Sequence, residues 1–173
     1  MLLILFRGRP GTGKTTMSNL LSSKMEVPII RKDDIYDQLV SLSSNHDLRN
    51  KATFDIIYSI IASNIHSSST LIVDCPFQFE EDITSFRVWC RDRQVRLKTI
   101  LVTCSDEHIW SERFKERAKN PAPNQLITDF EVFKKRYKIM QLQPDEDELL
   151  IDTIGPQDQN IKAVLDFLNF TKV

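Results

Sequence analysis

Gly8-Arg9-Pro10-Gly11-Thr12-Gly13-Lys14-Thr15 is the stretch that decides the fold. It satisfies G-x-x-x-x-G-K-[ST], follows the apolar run Leu2–Phe6 and opens a helical segment, Thr15–Lys24, which is the strand-loop-helix context the pattern requires. Glycines let the backbone wrap close to phosphate oxygens, while N–H groups of the loop and of the helix N-terminus point inward at the anion. Lys14 is then placed to neutralise β- and γ-phosphates, and the Thr15 hydroxyl to ligate Mg²⁺. The loop alone does not separate kinases from GTPases, ATPases or passive nucleotide-binding modules.

Working outward, four further apolar runs read as strands: Val27–Ile30, Thr70–Val73, Lys98–Thr103 and Leu149–Ile151. Their continuous apolar character suits strands buried on both faces of a parallel sheet. Helical patterns lie between them. Phe54, Ile57, Tyr58, Ile61 and Ile65 recur at helical spacing, as do Ile161, Val164, Leu165 and Leu168 after Asp158, read as an N-cap. Ser105 is read as the cap of a helix holding Ile109, Trp110 and Phe114, and Thr128–Glu131 as a capping box opening a helix through Met140. Ser41–Asn50, Ala118–Gln125 and the acidic Gln143–Glu148 read as surface loops. Alternation of this kind predicts an α/β layered fold with ligands at the carboxyl ends of the strands.

The 173 residues fit one domain, and 41% hydrophobic with 27% charged residues is an ordinary globular composition. A formal net charge of −1 supplies no overall field for a polyanion. No run approaches membrane-spanning length, and Leu2–Phe6 is too short for a signal-peptide core, so the expected setting is the cytoplasm with no membrane partner. Cys75, Cys90 and Cys104 are far apart and unclustered, which predicts reduced, buried thiols rather than a disulfide or a zinc site. His46, His66 and His108 are read as solvent-exposed, without a metal or base role.

Several residues beyond the loop carry chemistry. Arg31-Lys32-Asp33-Asp34 lies just past the second strand, where a carboxylate can take a proton from an attacking hydroxyl. Asp33 is assigned to that role and Asp34 to capping a helix over Asp34–Val40. Asp74 closes the third apolar run and suits a strand-end carboxylate holding Mg²⁺, while Cys75-Pro76-Phe77 is too apolar for the D-x-x-G of GTPases. Arg113 and Arg117 share a helix face and precede the loop Ala118–Gln125, so residues 113–125 read as a lid bringing guanidinium groups to a transferring phosphoryl. Trp110 is read as core. The basic stretch Arg87–Lys98 is read as a solvated connection.

Together these features resemble the P-loop kinase superfamily of small ATP-dependent phosphotransferases. The resemblance is to the AAA-domain kinase-like proteins, whose relatives include polynucleotide 5′-hydroxyl kinase, zeta toxins and chloramphenicol phosphotransferase. It rests on Gly8–Thr15, Asp33, the strand ending at Asp74, the helix Trp110–Arg117 and the strand Leu149–Thr153. It implies a three-layer fold with a five-stranded parallel sheet in the order 2-3-1-4-5. It further implies ATP and Mg²⁺ bound along Gly8, Arg9, Pro10, Gly11, Thr12, Gly13, Lys14, Thr15 and Thr16, Asp33 as acceptor-side base, and Arg117 or Arg113 as lid arginine.

Such relatives commonly carry an arginine three residues after the base Asp, engaging an anionic acceptor; here Tyr36 stands there. Tyr36 is therefore expected to bind or stack on an uncharged small-molecule acceptor beside Asp33, with Phe54 or Tyr58 walling the pocket. A 5′-hydroxyl of nucleic acid is the disfavoured acceptor, because the basic stretch around Arg91 has no stacking aromatic beyond Trp89. The expectation is an ATP-dependent phosphotransferase acting on a hydroxyl. Its rivals are an ATPase whose acceptor is water and a non-catalytic nucleotide-binding module.

Overall fold

The computed structural model describes residues 1–137 and 140–169. In chain order the elements are β1 (Leu2–Arg7), α1 (Lys14–Met25), β2 (Ile29–Arg31), α2 (Lys32–Gln38), a 3₁₀ turn (Leu39–Ser41), α3 (His46–Asn64), β3 (Thr70–Asp74) and α4 (Glu80–Asp92). They continue with β4 (Arg96–Thr103), α5 (Glu107–Ala118), α6 (Phe130–Arg136), β5 (Glu148–Asp152) and α7 (Gln157–Phe167). The five strands are parallel in the order β2-β3-β1-β4-β5, as the resemblance implied.

Side chains alternate across the pleat of β1 and so feed two cores. Leu3 and Leu5 pack with Ile57 and Ile61 of α3 and with Ile83, Phe86 and Cys90 of α4. Ile4 and Phe6 pack with Met17 and Leu21 of α1 and with Ile161 and Val164 of α7. Helices therefore cover both faces, and β1 is buried from Leu3 to Arg7. A third cluster of Cys104, Trp110, Phe114, Phe130 and Phe133 joins α5 to α6 beyond the carboxyl edge of β4. All three thiols are free and buried, as expected; burial pushes those of Cys75 and Cys90 up to about 12.

Several local expectations fail for identifiable reasons. α6 starts after Asp129, whose carboxylate accepts from Val132 N at 2.8 Å, so the aspartate next to Thr128 takes the cap. That helix stops at Arg136 rather than reaching Met140; residues 138 and 139 lie outside the described residues. Asp106, not Ser105, caps α5. Asp158 falls within the first turn of α7, which begins after Pro156 without a side-chain cap. Asp34 is no cap either: α2 starts at Lys32, and Asp34 pairs with Arg31 at 3.3 Å. The loop expected over Ser41–Asn50 is mostly structured, since α3 begins at His46 under an Asn45 cap.

The acidic stretch is also more than a surface loop. Glu148 opens β5 and receives Arg7 in a fork, Nε to Oε1 at 2.7 Å and Nη2 to Oε2 at 2.6 Å, with both side chains at most 2% exposed. Arg87 reaches the same carboxylate and Asp145, so the head of the basic stretch is tied down rather than solvated. Removing the acid leaves Arg7 as an unpaired buried charge. Glu148→Ala is therefore expected to lower the unfolding free energy by about 3–5 kcal/mol in urea titration, and a loss below about 1 kcal/mol would show that the fork is dispensable.

Candidate active-site cleft

The phosphate-type loop turns at the carboxyl edge of the sheet, where β1 runs between β3 and β4. Its first glycine is required by packing. A Cβ at Gly8, whose φ is +148°, would lie 2.3 Å from the Val102 carbonyl oxygen on β4. At Gly11, φ +80°, a Cβ would meet the Phe114 ring at 2.9 Å. Helix α5 thus braces the loop from outside. Trp110 is buried there as expected, but it also donates Nε1–H to the Pro10 carbonyl at 2.8 Å.

Thr153, just past β5, ties the other side. Its hydroxyl lies 2.7 Å from the Thr12 carbonyl and 3.2 Å from that of Thr103, joining the loop to the ends of β4 and β5. Arg113 donates to Thr153 Oγ1 at 2.7 Å and to its carbonyl at 3.2 Å. Arg113 therefore acts on the loop through Thr153. No local sequence pattern marks this threonine, because its role depends on three partners distant in the chain.

Lys14 forms an ion pair with Asp74, which is 3% exposed at the end of β3. Ser18 donates its hydroxyl to Asp74 Oδ2 at 3.0 Å, and Arg31 Nε lies 3.8 Å from the same oxygen. The Asp74 carboxylate and the hydroxyl of Thr15, which lines the cleft, are hard oxygen donors of the kind that suit Mg²⁺ completed by phosphate oxygens and water. Among the described residues no cluster of three His, Cys, Asp or Glu side chains forms a separate metal site.

In front of the loop opens a cleft of about 1100 Å³. Lys14, Thr15 and Thr16 line one end, and Asp33, Arg113 and Arg117 are also on its wall. The structure separates the two adjacent aspartates: Asp33 faces the cleft, whereas the Asp34 side chain is 69% exposed on Arg31. Burial lowers the pKa of Arg117, and the charge of Asp33 opposes that shift. Asn124, in the loop after α5, donates to Asp37 of α2 at 2.8 Å and holds that loop against the cleft rim. Burial raises the pKa of Asp37 while this hydrogen bond lowers it.

Tyr36 does not line the cleft. It is 1% exposed, and its hydroxyl is 2.7 Å from His46 Nδ1. Tyr58 is turned away as well, packed on Phe86 and Trp89, while Phe54 does reach the wall beside Phe77. His46, read from sequence as merely exposed, lines the cleft next to Asn50. Lys32 lines it too, immediately before Asp33, and was not singled out by any pattern.

A family model described as an AAA domain matches residues 3–138. No curated protein matches in sequence. A structure from Chloroflexus aurantiacus, provisionally described as a kinase, is similar with 22% identity and TM-score 0.75, covering 97% of this chain and 96% of that one. A gluconokinase from Sinorhizobium meliloti shares 15% identity with TM-score 0.66, over 96% of this chain and 90% of its own. The APS kinase of Mycobacterium tuberculosis, in complex with AMPPNP and APS, shares 14% identity with TM-score 0.65 over 97% of both chains. At these identities the likeness establishes the fold. No described helix is long and apolar enough to cross a membrane.

The Trp110 bond ties the loop to α5, so Trp110→Phe is expected to weaken binding of the nucleotide AMPPNP about fivefold, the equivalent of one hydrogen bond of about 1 kcal/mol. Calorimetric titration with AMPPNP measures this directly, with the thermal midpoint recorded alongside. Unchanged affinity would mean that the loop holds its shape without α5.

Proposed function

The chain belongs to the AAA domain family, and we propose that it is a kinase moving the γ-phosphoryl of ATP to a hydroxyl of a small molecule. One observation carries the reading: a carboxylate, Asp33, and an arginine, Arg117, line the same cleft as Lys14 and the glycine loop. The solved structures named above, a gluconokinase and an APS kinase among them, support the reading by analogy of fold.

In this reading, the loop from Gly8 to Thr16 holds ATP, with Lys14 against the β- and γ-phosphates. Mg²⁺, held by Thr15 and Asp74, supplies positive charge to the phosphate oxygens when bound. The acceptor hydroxyl enters from the side of Asp33 and attacks the γ-phosphorus in line. As the new P–O bond forms, the hydroxyl proton passes to the Asp33 carboxylate, the bond from the γ-phosphorus to the β–γ bridging oxygen breaks, and ADP leaves with that electron pair. Arg117 stabilises charge on the equatorial oxygens, where a positioned cation matters most. Arg113 is a positioning residue acting through Thr153. The loop after α5, clasped by Asn124 to Asp37, is the lid that keeps water out.

The assignment separates the two aspartates in kinetics. Asp33→Asn is expected to reduce phosphoryl transfer from labelled ATP into a pool of small metabolites at least about 10²-fold, with AMPPNP affinity within about threefold. Asp34→Asn should leave both unchanged, and Arg117→Ala should depress kcat more than it raises KM for ATP. A loss confined to Asp34→Asn would place the base on the wrong aspartate. Full transfer by both variants would remove the carboxylate from the mechanism.

A further inference from the structure

A cation without an ion pair stands on the cleft wall next to Asp33: Lys32. Lys32 Nζ sits 4.4 Å above the Tyr36 ring, and Arg49 Cζ sits 4.6 Å from the same ring. Neither cation has a carboxylate within 4 Å among the described residues, although most other lysines and arginines around the cleft are tied to acids, carbonyls or side-chain amides. Arg49 is only 8% exposed, and its Nε is buried without a hydrogen-bond partner. The Tyr36 hydroxyl is taken up by His46, which itself lines the cleft, so Tyr36 meets the cations through its ring face alone.

The ring face offsets only part of the cost of taking an ammonium out of water. Burial accordingly lowers the pKa of Lys32, against the pull of Asp33. Such an arrangement is relieved by an anion entering the cleft at Lys32. The nucleotide phosphates are already served by Lys14 and the loop. Asp33 and Asp37 attract Lys32, but neither lies within ion-pair distance of it, so the counter-charge they supply is incomplete.

We propose that the phosphate acceptor carries a small oxyanion group, a carboxylate, phosphate or sulfate, which Lys32 binds beside the hydroxyl that Asp33 deprotonates. This rests on the kinase reading and narrows it to anionic hydroxy compounds. It also reverses the uncharged acceptor that Tyr36 suggests in the sequence. The position three residues after Asp33 holds no cation, yet a cation reaches the cleft from the position one residue before it, carried on the Tyr36 ring. Phe54 and Phe77, 5.6 Å apart between ring centroids, wall the same cleft and suit the apolar backbone of a compact acceptor.

The test is calorimetric titration of inorganic sulfate into the protein already saturated with AMPPNP and Mg²⁺, so that the glycine loop is filled. The wild-type chain is expected to bind one sulfate. Lys32→Gln should weaken that binding at least about tenfold, as loss of a charge-assisted contact does, and Lys32→Arg should recover it to within about threefold. AMPPNP affinity should stay the same in all three. Sulfate affinity equal in wild type and Lys32→Gln, or no sulfate bound to the nucleotide complex, would overturn the proposal. Failure of AMPPNP to bind the wild-type chain would instead sink the kinase reading, and the difference between wild type and Lys32→Gln in sulfate alone would still decide the role of Lys32.

Discussion

A single buried carboxylate joins the two halves of the site. Asp74 ends β3, beside the central strand β1, and takes Lys14 from the glycine loop, the Ser18 hydroxyl from α1 and the approach of Arg31 from the end of β2. Arg31 is followed directly by Lys32 and Asp33, so the charge that steadies the phosphate loop also fixes where the acceptor-side residues begin. A carboxylate 3% exposed is tolerable only because it is paired and hydrogen-bonded, and each partner is in turn costly to leave alone. Register does the rest: Phe6 lies opposite Asp74, which places the start of the loop level with the carboxylate.

Helix α5 is the second organiser. It carries three residues with separate duties on one face: Trp110 on the loop carbonyl, Arg113 on Thr153, and Arg117 towards Asp33. Its apolar side is anchored by the small aromatic core of Phe114, Phe130 and Phe133 rather than by the sheet. A lid built on a satellite core of this kind can open without disturbing the two main cores, which is the usual division between mobile and rigid parts. The Asn124–Asp37 hydrogen bond holds the loop after α5 against α2.

Much of this was legible in the residues, and the limits have physical causes. The glycine loop is readable because its chemistry is local: eight consecutive residues, a preceding strand and a following helix. The strands were visible as apolar runs because both faces of the sheet are covered, although β2 lies two residues later than its apolar run suggests, since Arg31 completes it. Helix caps were misplaced by one or two residues wherever two polar side chains competed, as at Thr128 and Asp129. Tyr36, Lys32 and Thr153 were unreadable for a different reason. Their roles come from His46, from a ring face one helical turn on, and from carbonyls 50 and 141 residues away, and spacing alone says nothing of what these contacts do. Glu148 likewise looked like one more acid in a surface run until Arg7 and Arg87 were seen to converge on it.

The glycine loop, Asp33, Arg117 and the cationic edge at Lys32 make one continuous path from nucleotide to acceptor, and the central claim is that phosphoryl travels along it. The most direct measurement is the fate of the γ-phosphoryl when the purified protein is given ATP, Mg²⁺ and a mixed pool of small metabolites, with products read by mass spectrometry. The account predicts a phosphorylated hydroxy compound that already bears an oxyanion, appearing in step with ADP and only when that compound is present. Release of inorganic phosphate in step with ADP, at the same rate with or without the pool, would contradict it.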